Sequence, residues 1–246
     1  MNALTTPETA ALAAAQKAPR FDLYAGIHKA LRQFMAHTLR QLGAMDVEDG
    51  EDMAQALAGV DALLGMLRSH LQHENDFLHT AIEARRPGSA RHTADDHLLH
   101  QEAIASLGDE LAALRAARPE QRAVLALRLY RHLAEFVGEN LVHMQVEETR
   151  NNEALWELYS DAELVAVHDR LVGSIGPDEM ALVTRWLAAS LSPQELAGLC
   201  LDMQAKAPAP AFEALLDVVR AQLDERRWAK LARALGRPAV PGLMTA

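Results

Sequence analysis

The breaks between long runs of helix-forming residues limit the fold of this chain more than any other feature of its sequence. Ala, Leu, Glu, Gln and Arg dominate the runs, whereas isoleucine occurs only four times and no run alternates apolar and polar residues as a strand would. Turn residues and helix-start signals predict four long helices, over about residues 21–44, 46–86, 90–117 and 119–159. Because short connections join antiparallel neighbours, the chain is predicted to be all-α and to form an antiparallel up-down-up-down four-helix bundle.

The chain is expected to extend beyond this bundle at both ends. Residues 1–20 are predicted to form a flexible Ala-rich leader, residues 21–160 the bundle, and residues 161–246 a C-terminal helical region. Prolines and glycines divide that C-terminal region into four or five shorter predicted helices. It has neither a Gly-rich phosphate loop nor a cluster of metal-ligand residue types, so the sequence assigns it no role.

Composition excludes several classes of protein. Half of the 246 residues are hydrophobic, which is too many for a disordered or collagen-like chain. The single cysteine, Cys200, excludes a disulfide framework and any multi-cysteine zinc or iron–sulfur site. Its apolar neighbours Leu196 and Leu199 favour a position in the core.

The net charge and the hydropathy of the chain limit the kinds of partner that it can bind. The chain has 34 acidic and 24 basic residues, an excess that disfavours binding to nucleic acid. No apolar run approaches the ~20 residues of a membrane-spanning helix, and the N-terminus lacks the pattern of a signal peptide. We therefore expect a cytoplasmic protein that binds neither membranes nor nucleic acid.

The histidines are unusually frequent and unusually placed. Their number, 11, equals that of Phe, Trp and Tyr together. Each of the four long predicted helices has a histidine on its apolar 3-4 stripe, and two of them have a glutamate four residues later. In an antiparallel bundle these positions meet at one end. The candidate metal ligands are His28, His70, Glu74, His97, His100, His143 and Glu147.

A metal explains this cluster better than packing does. A lone histidine on an apolar face is more often a hydrogen-bonded core residue, but two buried carboxylates beside several imidazoles cannot be satisfied by Leu and Phe neighbours. Six ligands exceed the four of tetrahedral zinc and suit two six-coordinate ions bridged by the glutamates. Mixed imidazole and carboxylate ligands favour iron and leave manganese open.

The remaining histidines are expected to have ordinary roles. His132 and Asn140 lie on the fourth apolar stripe without a carboxylate four residues later, so packing and hydrogen bonding to a ligand are equally favoured for them. Surface or rim positions are predicted for His37, His73, His79, His92 and His168.

Several of these residues resemble the motifs of the hemerythrin-like (HHE cation-binding) family. The similarity covers roughly residues 20–160. It lies in four stretches, Ile27-His28-Lys29-Ala30-Leu31-Arg32, His70-Leu-Gln-His-Glu74, Asp96-His97…His100 and His143-Met-Gln-Val-Glu147-Glu148. The resemblance implies a four-helix bundle around a non-haem diiron centre with bridging glutamates. The implied ligands are His28, His70, Glu74, His100, His143 and Glu147.

Two positions leave alternatives open. His97 and His100 both lie on the third stripe. The apolar residues that continue the stripe favour His100 as the metal ligand. Both would be ligands if they formed the pair found in oxygen-carrying members. Those members also place a carboxylate of the fourth bundle helix, usually aspartate, five residues after its histidine. Here Glu147 stands at four residues and Glu148, the less favoured alternative, at five. This pattern is more similar to bacterial regulatory and stress-related members, including those linked to nitric oxide response and iron–sulfur repair.

The resemblance implies a protein that binds or senses a small diatomic ligand, O2 or NO, with a role in oxidative or nitrosative stress or in iron homeostasis. One alternative is a metal-centred enzyme that turns over peroxide or NO, or an iron donor in iron–sulfur repair. No separate acid–base or nucleophile constellation supports catalysis without the metal. Another alternative is a signalling or structural module that acts through the C-terminal helices, which can also form a homodimer.

Overall fold

The computed structural model describes residues 20–238, which are helical with short connections and contain no strand. The first four helices are α1 (Ala25–Ala44), α2 (Gly50–His73), α3 (Arg91–Arg115) and α4 (Pro119–Val146). The other five are α5 (Asp161–Ser174), α6 (Pro177–Ser190), α7 (Pro193–Lys206), α8 (Ala209–Ala221) and α9 (Glu225–Ala234). The all-α prediction is thus confirmed for this range, in which the four or five helices predicted beyond residue 160 number five; residues 239–246 of that C-terminal region lie outside the described residues. Residues 1–19 of the expected leader lie outside the described residues.

Two of the long helices contain a π-helical turn. α2 continues through Glu74–His79 in π-helical geometry and then through an α-helical segment, Thr80–Arg85. α4 continues in the same way through Glu147–Asn151 and then through Asn152–Leu158. Both interruptions begin at a glutamate that the sequence marks as a metal ligand.

Local side chains explain where the helices begin. The Asp49 carboxylate accepts hydrogen bonds from the first backbone amides of α2, and Pro119 occupies the first position of α4, where no amide hydrogen is needed. The first helix starts at Ala25, four residues later than predicted. Asp22 accepts hydrogen bonds from the backbone amides of Tyr24 and Ala25, so the preceding chain is held in a turn.

The four long helices share one hydrophobic core. α1 packs against α2 and α4, α2 packs against α3, and α3 packs along α4. Contacts between α3 and α4 pair His97 with His143 at one end and Glu110 with His132 at the other, so these two helices run antiparallel. Fully buried members of the core include Leu31, Leu63, Leu107, Leu111, Leu129 and Leu133.

Hydrophobic packing continues past residue 160, where the bundle was expected to end. Trp186 of α6 belongs to the main core and stacks on Phe34 of α1, with ring centroids 4.2 Å apart. α5 packs beside the π-helical turn that follows α2, and its Leu164 and Val167 share a hydrophobic cluster with Leu78 and Leu155. α7, α8 and α9 enclose a smaller core of their own with the end of α6. The C-terminal region is therefore attached to the long helices at two places.

Cys200 lies inside the smaller core, as its apolar neighbours predict. It is buried, and burial raises the pKa of its thiol to about 11. The thiolate form is accordingly scarce at neutral pH. None of the helices in the described range combines the length and the apolar character that crossing a lipid bilayer requires.

Because Trp186 stacks on Phe34, we expect substitution of Trp186 to reduce the stability of the protein strongly, although this residue lies outside the predicted bundle. Trp186→Ala should lower the free energy of unfolding by about 3–5 kcal/mol, because it removes a buried ring and leaves a cavity. Urea denaturation followed by circular dichroism measures the effect. Leu201→Ala, at a side chain 46% exposed, is the control and should change stability by less than about 0.5 kcal/mol. Equal effects of the two substitutions would contradict the shared core.

Candidate metal centre

Six of the seven predicted ligands meet at one end of the long helices. They form two groups whose ligand atoms lie within 4.8 Å of one another. Each group contains two histidines from neighbouring helices, and both groups contain the same two glutamates. The groups are His28, His70, Glu74 and Glu147, and Glu74, His97, His143 and Glu147.

Glu74 lies between the two groups with one oxygen on each side. Its Oε1 is 3.2 Å from Nε2 of His70 and 3.5 Å from Nε2 of His28. Its Oε2 is 3.5 Å from Nε2 of His97. A carboxylate placed in this way can bridge two ions, because its two oxygens face imidazoles of different groups.

Glu147 completes the arrangement from the opposite helix. Its Oε2 is 3.4 Å from Nε2 of His143 and 3.6 Å from Nε2 of His28. Its Oε1 is 3.4 Å from Nε2 of His97. Both groups therefore have access to this carboxylate as well.

The carboxylate oxygens are buried without hydrogen bonds. Within residues 20–238, none of the four oxygens of Glu74 and Glu147 has a hydrogen-bond partner, and neither has Nε2 of His28. Leaving such groups unsatisfied costs roughly 1–3 kcal/mol for each neutral atom and more for a charged one. Divalent cations would remove this cost, since they accept the imidazole lone pairs and neutralise the carboxylates. The residues thus fit a pair of metal ions.

The outer ring nitrogens of three histidines are held by a second set of side chains. Nδ1 of His28 donates to Oε1 of Glu148 at 3.0 Å, and Arg32 donates two hydrogen bonds to the same carboxylate. Because the carboxylate only accepts, Nδ1 carries the proton and Nε2 is directed at the glutamate pair. Glu148, the alternative ligand five residues after His143, thus orients a ligand and is absent from both groups.

The other pair of helices repeats this arrangement. Nδ1 of His97 donates to Oδ1 of Asn75 at 2.8 Å, and Nδ1 of His143 donates to Oδ2 of Asp96 at 3.3 Å. Asn75 directly follows Glu74 in the chain, as Glu148 follows Glu147. Such outer contacts fix the tautomer and the ring orientation of metal-ligating histidines.

The electrostatics of the site follow from burial and from these contacts. Burial lowers the pKa of His28, but contacts with Glu148 and Glu74 outweigh it and raise that pKa to about 9. Burial lowers the pKa of His70 to about 4. Burial raises the pKa of Glu147, yet the imidazoles of His143, His79 and His97 outweigh burial and hold it well below its usual range. The site therefore stabilises the ionised form of Glu147 among imidazoles.

His79 is buried beside the metal site, so its predicted surface or rim position is wrong. If this segment were α-helical, the side chain five residues after Glu74 would point about 140° away from it around the helix axis. The π-helical hydrogen bonds connect residues five apart and bring His79 back over the same side. Its ring stacks on that of His97 at 4.7 Å, and its Nε2 lies 3.8 Å from Oε1 of Glu147. Apolar periodicity contains no signal for a π-helical turn.

His100, the residue that the stripe favoured on the third helix, lies outside both groups. His97 occupies the position beside the carboxylates instead. The ring of His100 packs against those of His143 and Phe136, with centroids 4.7 and 5.8 Å away, and burial lowers its pKa to about 4. Both residues are on the buried face, so spacing alone did not separate them.

The two residues for which packing and ligand support were equally favoured have local partners. His132 lies 3.5 Å from Glu110, and the Asn140 amide donates to the Phe136 carbonyl within its own helix. His37, His73 and His168 are partly exposed and His92 is exposed, in agreement with prediction.

No functional role is predicted from the sequence for three buried polar residues near the site, although Tyr24 lies on the apolar stripe of the first predicted helix. They are Tyr24, Thr93 and Asn151, which are 0%, 2% and 3% exposed. Burial, together with Glu147 and Glu74, raises the pKa of Tyr24 well above its usual value, so the phenol is protonated. None of these residues belongs to a metal-ligand pattern, and only the folded chain brings them to the site.

Comparison of the chain with protein-family models, with curated proteins and with solved structures found no match. The site residues offer imidazole nitrogens and carboxylate oxygens, which suit iron, manganese or zinc ions more than the softer metals that prefer sulfur.

The geometry predicts different roles for His97 and His100. His97→Ala should reduce bound metal from about two ions per chain to one or none, because its Nε2 contacts both carboxylates. His100→Ala should keep about two ions, because it contacts neither. Elemental analysis of the purified variants measures the difference, and loss of metal in His100→Ala alone would reverse the assignment.

The carboxylates predict a coupled loss of metal and stability. Glu74→Ala or Glu147→Ala should lower metal content and melting temperature together, because the remaining ligands would be left buried and unpaired. His168→Ala, a partly exposed histidine, should change neither. Metal loss in the His168 variant equal to that in the glutamate variants would show that bound metal does not depend on this cluster.

Proposed function

We propose that this chain is a hemerythrin-like protein that holds a pair of non-haem iron ions and binds or senses O2 or NO. The observation that carries the proposal is the pair of buried glutamates without hydrogen bonds, each placed between two histidine groups. Packing alone gives no reason to bury four carboxylate oxygens in this way.

The helix contacts support an up-down-up-down bundle around that pair. α1 contacts α2, α2 contacts α3, α3 contacts α4, and α4 returns to α1. The connections α2–α3 and α3–α4 are short, as antiparallel neighbours require. In this arrangement all six ligands come from the same end of the four helices.

The ligand set supports iron. His28 and His70 would hold one ion, His97 and His143 the other, and Glu74 and Glu147 would bridge them. Two imidazoles and two shared carboxylates leave coordination positions vacant on an ion that prefers six ligands, whereas tetrahedral zinc would be complete. A bound iron pair would supply those vacant positions and its redox chemistry to a small diatomic ligand.

The chain's own residues would orient the ions and exclude water from them. Glu148, Asn75 and Asp96 fix the histidine rings, and the apolar core begins one helical turn from the ligands at Leu31 and Leu67. Exclusion of water lowers the local dielectric constant and so strengthens the electrostatic interactions inside the site.

Contacts of the C-terminal helices favour sensing over simple carriage. Nζ of Lys29, the residue after His28, donates to Oε1 of Glu195 at the start of α7 at 2.5 Å. The hydroxyl of Ser69, the residue before His70, donates to Glu179 at the start of α6. A shift of either ligand helix would therefore reach the C-terminal region directly. Signalling through these helices is the second candidate role.

The test is metal analysis with absorption spectroscopy of anaerobically purified protein. We expect about two iron ions per chain and a new absorption band on addition of O2 or NO. Glu147→Ala is the matched control and should show neither. Fewer than one metal ion per chain, or no response to either gas, would refute the proposal. Sustained consumption of peroxide or NO with a reductant would identify an enzyme instead.

A further inference from the structure

A layer of buried polar residues adjoins the metal ligands on one side. We call this set, Tyr24, His79, Thr93 and Asn151, the polar end layer. Each of the four long helices contributes one member: Tyr24 immediately precedes α1, Thr93 lies in the first turn of α3, and the other two end the π-helical turns of α2 and α4. All four side chains are at most 5% exposed.

Hydrogen bonds join the members of the polar end layer to one another. The Asn151 amide donates to the Tyr24 hydroxyl at 3.3 Å and to the Thr93 hydroxyl at 3.2 Å. The Thr93 hydroxyl also lies 3.2 Å from Nε2 of His79 and donates to the backbone carbonyl of Ala90 at 3.0 Å. The layer reaches the metal ligands where His79 approaches Glu147.

Two polar groups of this layer are not fully used. Within residues 20–238 the hydrogen bond recorded for the Tyr24 hydroxyl is one that it accepts from Asn151, which leaves its phenolic proton for another acceptor, and Nδ1 of His79 has no partner. The Tyr24 ring centroid is 5.2 Å from that of His28, so the phenol belongs to the same buried neighbourhood as the ligands. A buried donor without an acceptor is costly unless something else accepts its proton.

The opposite side of the metal ligands is chemically different. One helical turn away, α1 and α2 present Leu31 and Leu67 there, both buried. The Asn140 amide of α4 is already bonded to its own helix, and the His100 ring packs against the rings of Phe136 and His143, although its buried Nδ1 has no hydrogen-bond partner. That side therefore offers an incoming polar ligand one imidazole nitrogen, whereas the other side offers the four polar side chains of the polar end layer.

We propose that the exogenous ligand binds on the side of the metal pair that faces the polar end layer, and that Tyr24 donates a hydrogen bond to it. The ligand class is a small molecule that carries negative charge when it is bound, which an aimed O–H group stabilises. The inference rests on the proposed function, and it assigns Tyr24 a positioning and selecting role that no metal-ligand pattern contains.

Azide, a small anion that accepts hydrogen bonds, is the probe for the metal-loaded protein. Tyr24→Phe keeps the ring and removes only the donor, so azide affinity measured by absorption titration should fall about tenfold while metal content stays at that of the wild type. Tyr159→Phe is the matched control: its hydroxyl donates to the Ala81 carbonyl in the neighbouring apolar cluster, and azide affinity should not change.

A second measurement needs no variant. The azide vibrational bands of the wild-type complex should shift between H2O and D2O, and the shift should be absent in Tyr24→Phe. An unshifted wild-type spectrum, or an unchanged azide affinity in Tyr24→Phe, would overturn the inference while leaving the metal pair intact. So would loss of metal in Tyr24→Phe, or an affinity loss confined to His100→Ala, which would place the ligand on the opposite side. Wild-type protein without metal would instead refute the proposed function.

Discussion

Two buried carboxylates without hydrogen bonds, at one end of the long helices, are the constraint on which the rest of this structure depends. Burying these two side chains is costly without compensating partners, and the imidazoles around them are the only cationic or metal-binding groups in contact with the oxygens of Glu74 and Glu147 within residues 20–238. The second set of hydrogen bonds then follows from the first, because each imidazole must direct one nitrogen inward. Arg32 donates hydrogen bonds to Glu148 and is partly exposed, so this network of hydrogen bonds reaches the protein surface.

Much of this could be predicted from the sequence, and the reason is physical. Helical periodicity determines which residues share a face, so His28, His70 and His143 were placed on buried stripes at one axial level without any structure. Periodicity does not resolve two residues on the same stripe, which is why His97 and His100 remained alternatives. Side-chain rotation decides which nitrogen meets which oxygen, and that information is absent from spacing.

The π-helical turns mark the limit of such prediction most clearly. Each inserts one residue just after one of the two buried glutamates and shifts the face of everything that follows. His79 therefore moved from a predicted surface or rim position to a buried one, and Asn75 came to face His97. π-helical turns are uncommon and concentrate at functional sites. Their presence at equivalent places in α2 and α4 accords with a site that required local departure from α-helical geometry.

The attachment of α6 to the long helices has a consequence for how the chain folds. Trp186 and Phe34 stack although about 150 residues separate them in sequence. Contacts of such long range form late, since a large loop must close before they contribute. During synthesis the four long helices leave the ribosome well before α6, with the Phe34 face still uncovered. A nascent chain at that stage exposes apolar surface, and chaperones that bind such surface would meet it there.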